Sequence, residues 1–176
     1  AADAPLTIVD FSDYQCPVCR TMSRELKRLV KERPDEVRVV IKHFPLDKSC
    51  NSAMKKDYHE FACRASLMAR CAEEQGVEDF RRMHEALIEL DPFLDWNLQT
   101  LLELPIKLGL NIPRFDRCMI APQTMSRIQA DIQLAGELRI TGTPTLVVDG
   151  KKLPHTVIRV LPGVIGEILK QQRKLP

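Results

Sequence analysis

The sequence contains no run of apolar residues long enough to cross a membrane. A spanning helix needs about 18 or more consecutive apolar residues, and charged residues, 28% of this chain, interrupt every hydrophobic run before that length. No signal peptide is recognisable, although the small residues from Ala1 to Pro5 are compatible with a cleavage site as well as with an arbitrary start. We therefore expect a soluble globular chain, with a membrane anchor upstream of Ala1 as an open alternative.

An excess of charge of one sign is missing as well. The chain has 26 lysines and arginines against 24 acidic residues, for a net charge of +2. This balance provides no large basic field, so we expect no nucleic-acid partner. Internal repeats and low-complexity segments are also lacking, and the 176 residues suffice for one domain with a sizeable core.

Cysteine, by contrast, is abundant, with six residues. In a reducing compartment most of them would remain free thiols without an evident purpose. The even count therefore favours an oxidising compartment, one catalytic pair and up to two structural bridges. Buried free cysteines acting as small apolar side chains are the alternative for the non-catalytic ones.

Two of the cysteines, Cys16 and Cys19, flank Pro17-Val18 where an apolar strand over residues 6–11 gives way to a helix. Thiols three positions apart share the first helical turn, with Cβ atoms about 5–6 Å apart, which is close to disulfide geometry. The first thiol also faces the positive end of the helix, which stabilises a thiolate. We therefore predict a reversible dithiol in which Cys16 is the exposed, reactive sulfur and Cys19 is less accessible.

The first part of the chain has the pattern of a β-α-β unit. A buried strand over residues 7–11 precedes a helix that begins near Pro17 and ends before Pro34, and β-branched residues over 37–44 predict a second strand. Because the crossover between the two strands is helical, we expect them to be parallel.

The remainder is predicted to be a helical segment followed by strands. Apolar stripes at helical spacing indicate mostly helix over residues 52–138. A strand is expected at 145–148, with Asp149-Gly150 as a hairpin turn and residues 156–160 as the returning strand. A final helix opens at Pro162.

This order, with the dithiol after the first strand, resembles the thioredoxin fold, and the helical insertion narrows the resemblance to DsbA-like thiol–disulfide oxidoreductases. The resemblance covers nearly the whole chain and includes Gly142-Thr143-Pro144-Thr145 before a strand. It implies an α/β thioredoxin fold with a helical insertion between the β-α-β and β-β-α halves. We expect a single domain over 1–176, with the thioredoxin part at about 5–48 and 139–174 and the insertion at about 52–138.

The resemblance also implies roles for individual residues. Cys16 and Cys19 match the catalytic cysteines, and Pro144 matches the family's cis-proline beside the dithiol. A cis bond at the start of a strand would leave backbone groups free to pair with an extended peptide, so Thr143 and Pro144 are predicted to bind substrate. An ordinary trans proline in a turn is the alternative. Asp10, at the position of a buried acid in thioredoxin-like proteins, is predicted to accept the proton of Cys19, the alternative being an aspartate that faces water.

The implied activity is disulfide exchange with cysteine-containing proteins or peptides in the periplasm or another extracytoplasmic compartment, without a cofactor. A membrane quinone-linked redox partner of the DsbB or vitamin-K-epoxide-reductase type is implied by the same analogy. Val18 stands where the best-known DsbA has a histidine, so we expect the pKa of Cys16 between about 3.5, as in DsbA, and about 7, as in thioredoxin. A reductase or isomerase on the same scaffold and a non-catalytic thioredoxin-like binding module are the alternatives.

The four other cysteines allow three pairings. Cys63 and Cys71 lie eight residues apart in one predicted helix, about 12 Å along its axis, whereas disulfide Cα atoms lie within about 7 Å. That pairing is therefore excluded. We favour Cys50–Cys63 with Cys71–Cys118, because Cys50 precedes the helix that carries Cys63. The combination of Cys50–Cys71 with Cys63–Cys118 stays open.

A structural zinc site is an alternative role for His59 and Cys63, which are spaced i, i+4 in the predicted helix, with Cys50 nearby. Structural zinc usually takes four ligands, often from two close pairs. Only Cys16 and Cys19 have C-x-x-C spacing, so we expect no metal.

Overall fold

The computed structural model describes residues 4–91, 94–154, 157 and 160–172. Its centre is a four-stranded sheet of order β2-β1-β3-β4. The strands are β1 (Leu6–Ser12), β2 (Val37–His43), β3 (Thr145–Val148) and β4 (Lys151–Lys152). Strands β1 and β2 are parallel, as predicted, because helix α1 (Pro17–Glu32) carries the chain from one end of the sheet to the other. Strand β3 pairs with β1 in the antiparallel sense, which confirms the mixed α/β class.

The hairpin after β3 corrects one prediction. Asp149 and Gly150 both have positive φ, 49° and 73°, and form a two-residue turn that pairs Val148 with Lys151. The returning strand therefore starts directly after the turn, at Lys151, and not at residues 156–160. Of that segment, Val157 and Val160 lie outside any strand, and residues 156, 158 and 159 lie outside the described residues.

The segment between β2 and β3 is mostly helical, as predicted. Its helices are α2 (Ala62–Glu73), α3 (Val77–Glu89), α4 (Leu98–Lys107), α5 (Ile112–Ile120) and α6 (Pro122–Glu137). Helix α7 (Leu161–Gln172) follows the hairpin. Within the described part of the chain, no helix combines the length and the apolar character that crossing a membrane requires.

The hydrophobic core joins the helical segment to the sheet. One cluster lies among the helices around Met68 and Leu87, and a second packs α1 and α7 on one face of the sheet. A third contains Phe11 and Phe44 from the strand ends together with Ile128 from α6. Because this cluster is shared, α6 packs directly against the sheet near the ends of β1 and β2.

Two disulfides fix the helical segment. Cys50, in the loop after β2, is bonded to Cys63 at the start of α2, and Cys71 in α2 is bonded to Cys118 in α5. His59 lies before α2 and not on it, and the Cys63 sulfur is engaged by Cys50. The shared helix face that would make His59 and Cys63 neighbouring zinc ligands is therefore not present in the described part of the chain.

Candidate active site

The dithiol lies where the turn after β1 enters α1. The backbone N–H of Cys16 donates to the carbonyl oxygen of Asp13 at 3.1 Å, which directs the chain into the helix. Pro17 occupies the first helical position, where its missing N–H leaves no helical bond unmade. Cys19 lies in the first turn. Cys16 is 6% exposed and Cys19 fully buried, so Cys16 is the more accessible sulfur, although far less exposed than expected.

The two thiols have opposite acid strengths. A hydrogen bond with the Cys19 side chain is the largest influence on Cys16, and with backbone N–H groups of Val18 and Cys19 it lowers the pKa of Cys16 to about 6 against the opposing effect of burial. Burial, followed by the interaction with Cys16, raises the pKa of Cys19 above its ordinary value. The site therefore combines a thiolate at neutral pH with a protonated thiol beside it.

A distant segment completes the surroundings of Cys16. The Thr143–Pro144 peptide bond is cis, and the carbonyl oxygen of Thr143 lies 3.7 Å from the Cys16 sulfur, within reach of its S–H. The turn into β3 is closed by the Thr145 hydroxyl, which donates to the carbonyl oxygen of Gly142 at 2.8 Å. The structure thus brings together Cys16, Thr143 and Pro144.

Asp10 lies on β1 and is fully buried. Neither carboxyl oxygen has a hydrogen-bond partner of ordinary geometry among the described residues. Burial, and to a lesser degree the charge of Cys16, raise the pKa of Asp10 from 3.8 to about 7, and the opposing effect of Ser12 is smaller. Asp10 also contributes to the raised pKa of Cys19. It therefore has the acid strength to exchange a proton near neutral pH.

Asp13, which no sequence motif singles out, is fully buried in the turn between β1 and α1. Its carboxylate accepts hydrogen bonds of 2.8 Å from the backbone N–H of Gln15, the backbone N–H of Leu46 and Nδ1 of His59. The available signal was an acid three positions before Cys16, but its partners at 46 and 59 come from a loop whose path the sequence does not reveal.

A second buried polar network lies next to this site. The Tyr14 hydroxyl and Nδ1 of His84 are 3.1 Å apart, and Ser23 reaches the other ring nitrogen at 2.8 Å. His43 is also buried, 5.8 Å from the Tyr14 ring. Burial lowers the pKa of His84 to about 4 and that of His43 to about 3, so both rings are neutral at pH 7.

Nearby, the carboxylate of Asp131 on α6 accepts hydrogen bonds from Lys42 at 2.8 Å, from the backbone N–H of His43 at 3.0 Å and from Arg70. Burial alone would raise the pKa of Asp131, but these partners together hold it below its ordinary value. This buried ion pair ties α2 and α6 to the end of β2.

Comparison with known proteins supplies the context for this geometry. The model of the family described as "DSBA-like thioredoxin domain" matches residues 7–163. The Na(+)/H(+) antiporter NhaA 3 of Salinispora tropica is 30% identical over 154 residues, which are 85% of this chain and 21% of the antiporter. The chain thus spans about a fifth of the length of the curated relatives it matches.

Solved structures agree with the family match. A thioredoxin-like oxidoreductase from Silicibacter pomeroyi DSS-3 has a TM-score of 0.78 and 26% identity, and the match covers 99% of this chain and 90% of that one. The thiol-disulfide exchange protein alpha-DsbA2 from Wolbachia pipientis has the same TM-score with 17% identity, covering 96% and 84%. Because the sequence identity with alpha-DsbA2 is only 17%, this similarity supports a shared fold and nothing more.

Proposed function

The chain belongs to the DSBA-like thioredoxin-domain family, whose members are thiol–disulfide oxidoreductases, and from that membership we propose that Cys16 and Cys19 are its redox-active pair. One observation carries the proposal. The more accessible sulfur has a lowered pKa, its partner sulfur has a raised one, and a buried carboxyl group with a pKa of about 7 accompanies them. This division of acid strength is what a two-step exchange of disulfides requires.

In the oxidising direction, a substrate thiolate attacks Cys16 of the Cys16–Cys19 disulfide and forms a mixed disulfide. The S–S bond of the pair breaks, and Cys19 leaves with the electron pair and takes the proton of Asp10. A second substrate thiolate then attacks the substrate sulfur, closes the substrate disulfide and releases Cys16 as a thiolate. Cys16 is a good leaving group because its pKa is low.

In the reducing direction the same groups act in reverse order. The Cys16 thiolate attacks a substrate disulfide, Asp10 accepts the proton of Cys19, and Cys19 displaces the reduced substrate from Cys16. The substrates we propose are cysteine-containing proteins or peptides. The backbone at Thr143 and Pro144, beside the Cys16 sulfur, is the proposed contact for an extended substrate segment.

We propose an extracytoplasmic location, in the periplasm or an equivalent compartment. Support comes from the two disulfides formed by the other four cysteines, since such bridges persist in oxidising compartments. A membrane quinone-linked protein is the proposed oxidant that regenerates the Cys16–Cys19 disulfide, by analogy with the family. The similarity to the antiporters covers only about a fifth of their length, so we propose disulfide exchange, and not ion transport, for this chain.

We propose further that residues 1–176 form a single domain, with the thioredoxin part at about 5–48 and 139–174 and the insertion at about 52–138. The shared hydrophobic cluster of Phe11, Phe44 and Ile128 supports this arrangement, as does the ion pair between Lys42 on β2 and Asp131 on α6. Neither part could be removed without exposing the apolar surface of the other.

Equilibration with glutathione buffers tests the proposed function. We expect the Cys16–Cys19 pair to reach a reduction potential between about −270 mV, the value for thioredoxin, and about −120 mV, the value for DsbA. A potential near the upper limit would identify an oxidant and one near the lower limit a reductase. In the Cys16→Ser variant exchange should be lost, whereas in Cys19→Ala the Cys16 thiolate should attack a disulfide-containing peptide, release one peptide thiolate and accumulate as a mixed disulfide, because no second thiol is present to resolve it. Undiminished exchange in Cys16→Ser would contradict the proposal.

A further inference from the structure

A buried carboxylate lies in the turn that leads to the reactive sulfur, three residues before it. Asp13 is fully buried, and its own carbonyl oxygen accepts the backbone N–H of Cys16. A second anion in the same turn opposes the formation of a thiolate, because like charges disfavour each other's ionisation. Val18, the residue between the two thiols that could have carried a cation, is apolar. The charge of Asp13 therefore needs a counterion from elsewhere in the chain.

His59 is the counterion of Asp13. Its Nδ1 lies 2.8 Å from a carboxylate oxygen of Asp13, and its side chain is 21% exposed. The residue comes from the loop between β2 and α2. Its hydrogen bond with Asp13, followed by the charges of Asp13 and Cys16, raises the pKa of His59 despite partial burial. An imidazolium at this position forms a charged hydrogen bond, which is stronger than a neutral one.

The loop that carries His59 is held over the dithiol turn by further bonds. The backbone N–H of Phe61 donates to the Gln15 side chain at 2.6 Å, and that of Leu46 donates to Asp13. The Cys50–Cys63 disulfide closes the same loop from its other side. The position of His59 relative to Cys16 is thus set by covalent and hydrogen bonds on both flanks.

Asp13 and Cys16 are the ionisable groups whose charges act on His59. Asp13 belongs to the turn after β1 and Cys16 to the start of α1. Within its own loop, the neighbouring side chains of Tyr58 and Glu60 are exposed to solvent. The charge balance at the dithiol on this side consequently involves one cation and two anions, one of which exists only in the reduced protein.

We propose that His59 is a positioning residue of the redox site: as an imidazolium bound to Asp13, it offsets the carboxylate charge beside the Cys16 thiolate and thereby stabilises the reduced dithiol. This inference rests on the proposed function, because it concerns the same sulfur. It predicts that the protonation of His59 and the redox state of the dithiol are linked. The cation makes the Cys16–Cys19 disulfide more oxidising, since stabilising the thiolate favours the reduced state.

NMR titration of the unaltered protein tests this linkage. The pKa of His59 should be higher in the reduced protein, where the Cys16 thiolate is present, than in the protein with a Cys16–Cys19 disulfide. A purely structural hydrogen bond to Asp13 would give equal values in the two forms, and equal values would overturn the proposal. The His59 signal is assigned by its loss in the His59→Gln variant or, if that variant does not fold, by backbone-based assignment.

His59→Gln supplies the second measurement, because a glutamine amide can still donate to Asp13 but carries no charge. At pH 6.5 we expect its dithiol–disulfide equilibrium constant with glutathione to shift three- to tenfold towards the disulfide, which corresponds to about 15–30 mV. The shift should shrink as the pH rises through the raised pKa of His59, where the wild-type imidazole also becomes neutral. A shift that persists undiminished at pH 9 would show a structural effect and contradict the proposal, as would no shift at pH 6.5.

Lys48→Gln is the matched control. Lys48 is an exposed cation of the same loop, so its loss changes the net charge equally but should leave the equilibrium constant unchanged within about twofold, because exposed charges are well screened. An equal shift in both variants would refute a specific role for His59. If the unaltered dithiol does not equilibrate with glutathione, the proposed function fails. If it equilibrates but is indifferent to His59, only the present inference fails.

Discussion

Replacing Asp10 by asparagine should change how the stability of the protein depends on pH. The asparagine side chain has nearly the same size but cannot ionise. The pKa of the buried Asp10 carboxyl is raised from 3.8 to about 7, first by burial and then by Cys16. Each pKa unit corresponds to about 1.4 kcal/mol, so ionising Asp10 costs the folded state about 4 kcal/mol at pH values well above 7.

The sign follows from which state releases its proton first. Below pH 3.8 both folded and unfolded chains hold the Asp10 proton, and the carboxyl imposes no penalty. Between 3.8 and about 7 the unfolded chain has released it and the folded chain has not, so the wild type loses about 1.4 kcal/mol per pH unit from this group. Above that window the penalty is constant. The stability of Asp10→Asn relative to wild type should therefore rise by about 4 kcal/mol across the window and then level off.

Urea denaturation followed by circular dichroism at several pH values between 4 and 8.5 measures this difference. In the reduced protein we expect the full rise of about 4 kcal/mol in the stability of Asp10→Asn relative to wild type. In the oxidised protein the Cys16 charge is absent, so the increment should be smaller, although burial, the larger cause, remains. The exposed Asp35→Asn serves as the control and should change stability by about 0.5 kcal/mol or less at every pH. Parallel pH profiles for wild type and Asp10→Asn would refute the argument that a buried carboxyl titrates here.

Two further predictions concern the rest of the fold. Replacing both Cys71 and Cys118 by alanine should lower the free energy of unfolding by about 4 kcal/mol, and replacing Cys50 and Cys63 by about 3 kcal/mol, since the bridges span 47 and 13 residues. Urea denaturation checks both, and an equal loss for the two bridges would contradict the loop-entropy argument. Burial lowers the pKa of His43 to about 3, so between pH 6.5 and 3 only the unfolded chain takes up a proton at this residue. The free energy of unfolding of the wild type therefore falls with decreasing pH, and in His43→Asn this fall should be smaller by up to about 1.4 kcal/mol per pH unit. If the free energy of unfolding fell equally steeply below pH 6.5 in His43→Asn and in wild type, His43 would be protonated in the folded state.

Local patterns predicted most of the secondary structure. The β-branched run at 37–44 became β2, and the strand expected at 145–148 is β3 with the same bounds. The strand character of β2 and β3 depends on the types of residue within each short segment, and this local pattern is visible in the sequence. The returning strand was misplaced because hydrophobicity alone pointed to 156–160, whereas the turn at Asp149-Gly150 makes the residues directly after it the pairing partners.

Only those site residues could be predicted that lie on one segment of the chain or match a family motif. Cys16 and Cys19 are visible from their spacing, and the candidate Pro144 came from the resemblance and not from any local signal. Asp13 and His59 are 46 residues apart, and nothing in the sequence shows that the loop after β2 returns to the dithiol turn. The i, i+4 spacing of His59 and Cys63 therefore indicates only a candidate pair of metal ligands on one helix, and not the contact of His59 with Asp13.

The acidity of Cys16 shows why such contacts matter. Because Val18 stands in place of a histidine, the expected pKa of Cys16 lies between about 3.5 and about 7. The pKa of Cys16 is lowered to about 6, within that interval, first by the Cys19 side chain and then by backbone N–H groups. These donors come with the helix start and need no particular residue between the cysteines. The middle dipeptide therefore modulates a thiolate that the Cys19 side chain and the backbone already stabilise. Where this dipeptide supplies no charge, as here, we expect the redox potential to depend more strongly on His59, which the neighbouring loop places beside Asp13.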